Sequence, residues 1–219
     1  MRKSNPVMPM MAGALAGCVL ITALALAGEQ KDGGDGWIDL TSKQHWQQTD
    51  GWQFKGNKIH LPKKGAGYLW TKRKYEDFVL ELEVNTTGNS GIFFRANPSN
   101  PVHGGFEMQV LRPKDGTPGS HNMGALYDIR APREKVAKDG WNHVRITCKG
   151  PHITACMNGT RIWKVDISRW TEPKRNPDGS KNKFKNALAD LPRNNHIGFQ
   201  DHGHEVTYRN VRIRPLPAK

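Results

Sequence analysis

The stretch Phe78-Val79-Leu80-Glu81-Leu82-Glu83-Val84 alternates apolar and charged side chains, and the turn cluster Asn85-Thr86-Thr87-Gly88-Asn89 follows it. A period of two places Phe78, Leu80, Leu82 and Val84 on one face and Glu81 and Glu83 on the other, the pattern of a strand with one face in a core and one in water. The same period recurs outward from it. Ile92 and Phe94 share a face opposite Gly91, Phe93 and Arg95, and Phe106, Met108 and Val110 alternate with Glu107, Gln109 and Leu111. Trp141–Lys149 and His152–Met157 read as a hairpin, and Asn158-Gly159 starts a return strand at Arg161–Val165. His196–Asp201 and Glu205–Arg214 close the series. Val206 and Tyr208 have a parity that Val211 and Ile213 lack, which predicts a β-bulge near Arg209-Asn210.

No segment carries a long amphipathic helical pattern; Lys183–Leu191 suits one short turn. Many short strands separated by turn signals every ~8–12 residues indicate a sandwich or a barrel. Residues 168–195 are polar, basic and rich in Pro and Asn, too long for an ordinary loop, and so form either a functional lid or an excursion packed on a sheet edge.

The 219 residues carry 33 Lys+Arg against 20 Asp+Glu, a formal charge of +13. That length suits one domain able to bury roughly 70% of its unfolded surface. Arg2 and Lys3 precede an apolar run from Ala12 to Ala27 that ends Ala25-Leu26-Ala27, the layout of a secretory signal peptide. Removing residues 1–27 takes two positive charges from +13 and leaves +11. Leu15-Ala16-Gly17-Cys18 also has the shape of a lipoprotein cleavage site, although the apolar run continues past Cys18, and Val7–Ala27 is just long enough for an uncleaved anchor. The expected organisation is signal peptide 1–27, polar leader 28–36 and one domain at 37–216. The remaining basic residues are scattered and diluted by acids, so the charge reads as a solvated surface and nucleic acid is not the expected partner.

Cys148 and Cys156 flank Lys149-Gly150-Pro151-His152. A two-residue turn at Gly150-Pro151 sets 148 opposite 153 and 156 opposite 145, with the thiols on opposite faces. Free thiols are expected, since a disulfide needs Cα atoms within ~7 Å.

Glu107 and Gln109 emerge from the face opposite Phe106 and Met108. If the strands at 91–95 and 105–111 pair antiparallel, Arg95 and Phe93 share that face, and a cation, an acid, an amide and an aromatic ring line one surface. That set suits a sugar; an exposed, solvated sheet face is the plainer alternative. Phe199-Gln200-Asp201-His202-Gly203-His204 is denser. His202 has the chemistry of a general base or metal ligand, and Asp201 or Glu107 that of a further ligand; a β-turn using Asp and Gly for backbone reasons is the alternative. Asp128, after Gly124-Ala125-Leu126-Tyr127, is either a site carboxylate or a turn acceptor, and Trp141 is expected in the core. No Gly-x-Ser-x-Gly, phosphate loop or dinucleotide fingerprint is present.

In order, Asn89-Ser90-Gly91-Ile92, Phe106-Glu107-Met108-Gln109, Gly124-Ala125-Leu126-Tyr127, Gly140-Trp141-Asn142, Asn158-Gly159, Ile197-Gly198-Phe199-Gln200-Asp201-His202-Gly203 and Arg209-Asn210-Val211 resemble the 3-keto-disaccharide hydrolase domain family over about Gly36 to Pro215. The resemblance implies an all-β, concanavalin A-like jelly-roll sandwich of two antiparallel sheets, secreted or periplasmic, acting on glycosides whose glucose C3 is a ketone. It also implies Glu107 and His202 as catalytic groups and as holders of a divalent metal cation. Arg95, Gln109, Tyr127, Asp128 and Gln200 would be substrate contacts. Many relatives have Asp three residues beyond the motif Gln, where this chain has Arg112 followed by Pro113. A noncatalytic carbohydrate-binding module of the same fold is the competing function.

Overall fold

The structure, a computed structural model, describes residues 35–217. The signal peptide expected at 1–27, Cys18 and the leader before residue 35 lie outside the described residues. Among the described residues there are thirteen strands: β1 (Ile38–Asp39), β2 (Trp46–Gln47), β3 (Gln53–Lys55), β4 (Lys58–Leu61), β5 (Leu69–Thr71), β6 (Phe78–Thr86), β7 (Asn89–Ala96), β8 (Phe106–Leu111), β9 (Asn142–Lys149), β10 (His152–Met157), β11 (Thr160–Asp166), β12 (His196–Phe199) and β13 (Val206–Pro215). The long sheet runs β11-β10-β9-β6-β13-β4-β3, with β1 also on β13, and the short sheet runs β2-β5-β12-β7-β8. All the strand pairs are antiparallel.

The core lies between the sheets and is filled by the residues that the period of two selects. Leu80, Leu82 and Val84 of β6, Val144 and Ile146 of β9, and Tyr208 and Ile213 of β13 meet Ile92 and Phe94 of β7, Met108 and Val110 of β8, and Phe199 of β12; each is fully or almost fully buried. The rings of Phe199 and Tyr208 stack across the layers at 3.8 Å between centroids. Burial of such side chains, at about 1.5–3 kcal/mol each, is the main force holding one sheet on the other.

Three local expectations hold. The β9–β10 hairpin sets Ile153 opposite Cys148 and Cys156 opposite Arg145, and both cysteines are free. The register of β13 on β6 shifts between Arg209 and Arg212, with Asn210 at φ +52°, so the strand returns Val211 and Ile213 to the core after the bulge. The 168–195 segment is an excursion packed against the body through buried Trp170, Phe184, Leu188 and Leu191, and its one helical turn after Lys183 is a short 3-10 turn at Leu188–Asp190. Trp141, by contrast, is not in the core. It is partly exposed, with the Arg209 guanidinium 4.0 Å above its ring, because the outward parity of that position faces the polar side of the long sheet.

Candidate active site

Glu107 projects from β8 on the outer face of the short sheet, directly across from Phe93 on β7. The neighbouring edge of β8 is covered by the segment after Gly124: Gln109 N–H donates to Ala125 O (2.9 Å), and Tyr127 N–H donates to Glu107 O (2.9 Å). This pairing brings Tyr127 beside Glu107. From the opposite side, β12 delivers Gln200, whose N–H donates to Gly91 O at 3.0 Å. His202 follows in the turn beyond. The result is a cleft of about 410 Å³ whose lining includes Phe93, Glu107, Gln109, Tyr127, Gln200 and His202.

The floor is closely packed. A Cβ on Gly91 would lie 2.5 Å from Glu107 Oε1, so the absence of a side chain there makes room for the carboxylate. Gly198 does the same for the Trp70 ring. Tyr68, Trp70 and Phe93 form an aromatic trio with centroids 5.4–5.7 Å apart.

Glu107 is 8% exposed. Burial pushes its carboxyl up to about 7, against the opposing pull of the Lys183 ammonium. Lys183 Nζ stands 3.9 Å from Glu107 Oε2 and 4.2 Å from the centre of the Tyr127 ring. Burial in turn lowers the pKa of Lys183, while Glu107 and Asp128 raise it. Tyr127 is raised by burial and by those same two carboxylates. Gln109 Nε2 donates to Asn89 Oδ1 at 2.9 Å. Gln200 Nε2 reaches Tyr68 Oη at 3.4 Å, whereas the buried Gln200 Oε1 has no protein partner.

The structure therefore brings together Glu107, Gln109, Tyr127, Gln200 and His202 of the residues selected from sequence, and it places the others elsewhere. Arg95 is 1% exposed and wholly engaged: its guanidinium donates to Glu76 O (2.8 Å), Gly150 O (2.8 Å) and Asp77 Oδ1 (2.9 Å). It adopts φ +46° and acts as a bulge, so Phe93 and Ala96, not Phe93 and Arg95, share the outer face with Trp70. Simple alternation is broken at that residue, and Arg95 locks the 76–77 segment to the β9–β10 turn instead of facing substrate. Asp128, at φ +61°, supports the site from behind. Its carboxylate accepts from the backbone N–H of Lys183 and pairs with His121 Nε2 at 3.1 Å. Asp201 is a turn acceptor: Oδ2 takes the N–H groups of Gly65, Ala66 and Gly67 at 2.7, 2.8 and 3.2 Å, and Oδ1 that of Gly203 at 2.9 Å. Burial raises its pKa, but these four donors outweigh that and hold it below the ordinary carboxylate range. It thereby fixes the turn that carries His202.

Metal ligation does not fit this donor set. Among the described residues no group of three or more His, Cys, Asp or Glu side chains is placed to hold an ion. The Glu107 carboxylate is also already faced by an ammonium. A larger open hollow of about 610 Å³ lies on the outer face of the long sheet, where Glu81 and Glu83 are paired with basic side chains and Asp39 is held by Thr41. Glu81 meets His143 (2.8 Å) and Arg212 (3.2 Å), and Glu83 meets Arg209 (2.8 Å).

On this sheet face a buried carboxyl whose pKa burial has raised stands beside amides and aromatic rings. Residues 31–214 match the model of the 3-keto-alpha-glucoside-1,2-lyase-like domain. The chain belongs to this family. It is 27% identical over 181 residues to a 3-keto-disaccharide hydrolase of Bacteroides thetaiotaomicron, covering 69% of this chain and 62% of that protein. The chain thus spans less than two thirds of that relative's length. The fold superposes on the crystal structure of a putative glycosyl hydrolase from Parabacteroides distasonis with TM-score 0.74 and 30% identity, over 82% of this chain and 99% of that one. A second putative glycosyl hydrolase of the same organism gives TM-score 0.68 at 20% identity, over 84% and 95% of the two chains.

Lys183 is the site residue that sequence reasoning missed. It sits in Lys181-Asn182-Lys183-Phe184-Lys185, where nothing distinguishes one lysine from its neighbours. The signal was Phe184. A phenylalanine in so polar a segment is expected to be buried, and burying it (2% exposed) pins the adjacent lysine to the body of the protein.

Proposed function

We propose that the protein cleaves glycosides of 3-keto-glucose, removing the C2 proton and eliminating the aglycone, with later water addition giving net hydrolysis. The supporting observation is that Glu107 is the only carboxylate among the described residues lining the cleft. Ordinary glycosidases place two carboxyl groups ~5–9.5 Å apart across the scissile bond. Elimination from a 3-ketone requires one base instead, because the ketone itself acidifies C2–H.

Glu107, with a pKa of about 7, suits that base at neutral pH. Its carboxylate takes the C2 proton, and the electron pair forms the C2–C3 enolate with negative charge on O3. Collapse of the enolate restores the ketone, forms the C1–C2 double bond and breaks the bond from C1 to the aglycone oxygen. That oxygen takes a proton from His202, which stands exposed at the mouth. Addition of water, hydroxyl to C1 and proton to C2, then yields 3-keto-glucose. The unpartnered Gln200 Oε1 and the Gln109 amide supply hydrogen bonds to sugar hydroxyls, and the partly exposed Tyr127 ring supplies an apolar face. Trp70 and Phe93 are 2% and 1% exposed. They form a floor more than the projecting platform a noncatalytic binding module would display, which favours the enzyme. Export, proposed from Arg2, Lys3 and the apolar run to Ala27, would place the reaction outside the cytoplasm.

The test is incubation of the purified protein with a chromogenic 3-keto-glucoside. Aglycone release that disappears in Glu107→Gln, with the melting temperature nearly unchanged, supports the proposal; retained glycan binding without release by the wild type refutes it.

A further inference from the structure

We infer that Lys183 is the resident cation of this cleft and takes the place of a divalent metal in stabilising the enolate. The inference rests on the proposed elimination, and one chemical requirement and two observations carry it. First, the intermediate gathers negative charge at O3, so the site must hold a positive group facing the sugar when Glu107 has the C2 proton. Second, the Lys183 ammonium is already there, 3.9 Å from Glu107 Oε2 and 4.2 Å over the Tyr127 ring, with 24% of its side chain open to the cleft. A ketone oxygen whose C2 proton is in reach of Glu107 lies within reach of this ammonium too. Third, the lysine is held in place. Its backbone N–H is bound by the Asp128 carboxylate, and the buried Phe184 ring follows it. Glu107 and Asp128 are occupied in positioning this cation, so the carboxylates a metal would take are committed, and an ion seated beside Glu107 would meet a like charge.

The ammonium changes partner during the reaction. In the resting site it faces the Glu107 carboxylate. When Glu107 accepts the C2 proton that partner becomes neutral, and the charge appears on O3 instead. The cation is thus attracted more strongly to the substrate oxygen in the transition state than in the ground state, which is the condition for it to accelerate the step. No covalent bond to Lys183 is involved.

The experiment uses the full chain stripped with EDTA. Calorimetric titration with MnCl2 and CaCl2 is expected to give no stoichiometric binding. The 3-keto-glucoside is expected to be cleaved as fast as before stripping. Lys183→Met, checked by thermal melting, should lose about 10²–10³-fold in kcat, the usual effect of removing one preorganised charge-stabilising donor, while Lys183→Arg keeps part of the rate. A stoichiometric Mn²⁺ or Ca²⁺ site abolished by Glu107→Gln, or a stripped protein revived only by added metal, would overturn the inference. Capture of Lys183 by borohydride in the presence of substrate would overturn it too, since that marks an imine. The calorimetry and a carbon-13 titration of Glu107, whose pKa should rise in Lys183→Met, need no turnover. A failure of the cleavage reaction would therefore count against the proposed function, and metal binding or an unmoved Glu107 pKa against the role of Lys183.

Discussion

Gly91 leaves the space in which the Glu107 carboxylate sits: a Cβ at position 91 would lie 2.5 Å from Oε1 and 3.2 Å from Cγ. The contact is with a side chain, so the cost of filling it falls on the placement of the base more than on the backbone. Gly91→Ala is expected to reduce aglycone release at least tenfold and to cost about 1–3 kcal/mol of stability through overpacking. Urea unfolding and single-turnover rates check both. An unchanged rate would show that Glu107 is free to move without loss.

The protonation of Glu107 sets the pH dependence. Its neighbours in the cleft are Lys183, Tyr127, Gln109, Gln200, His121 and His202. Burial, opposed by Lys183, holds its pKa at about 7, so the ascending limb of kcat/KM against pH should have its midpoint at about that value. Stability runs the other way. The folded state holds the proton more tightly than the unfolded chain does, so the contribution of this carboxyl is fully present below its ordinary pKa of 4.5 and is lost as pH rises through about 7. Glu107→Gln should remove that loss, leaving the variant at least as stable as the wild type at pH 8 in denaturant melts.

Gln200 presents a buried acceptor with no protein partner, so the fold draws no protein hydrogen bond from that oxygen. Gln200→Leu should therefore melt no lower than the wild type, while kcat/KM for the 3-keto-glucoside falls by about tenfold or more. A variant that lost stability and kept its activity would assign the amide to the fold.

Arg95 should behave in the opposite way. Its side chain is 1% exposed and bound to Asp77, whose side chain is 12% exposed. Arg95→Met leaves that acid uncompensated and should cost about 3–5 kcal/mol, with part recovered in the Arg95→Met/Asp77→Asn double variant. KM measured on the folded fraction should stay at the wild-type value.

The thiols give a direct check on register. Cys148 faces the core, where burial pushes its thiol up to about 12, and Cys156 faces outward across from Arg145. Ellman's reagent should label Cys156 in the native protein and reach Cys148 only after unfolding.

The strands and the Glu107–Gln109 face were legible because a period of two is a local property, and the Gly150-Pro151 turn fixed a register by counting. Arg95 was misplaced because the break in alternation depends on one left-handed residue, φ +46°, in a sequence, Phe93-Phe94-Arg95-Ala96, that carries no Gly, Asn or Asp to announce it. Trp141 is expected in the core from the sequence, whereas the structure uses its ring as a platform for Arg209. For Lys183 the sequence offers only the indirect signal of its neighbour Phe184. The lysine comes from an irregular excursion whose path is decided by long-range packing of Trp170, Phe184 and Leu188, and no periodicity in the segment encodes that path.

Elimination and direct hydrolysis differ in one bond, and that bond can be labelled. A 3-keto-glucoside carrying deuterium at C2, compared with the unlabelled compound in single-turnover release of aglycone, isolates the step assigned to Glu107. Proton removal from C2 predicts a primary isotope effect that slows release of the deuterated substrate, with the label washed out into water. Equal rates, with deuterium retained at C2 of the released sugar, would contradict it.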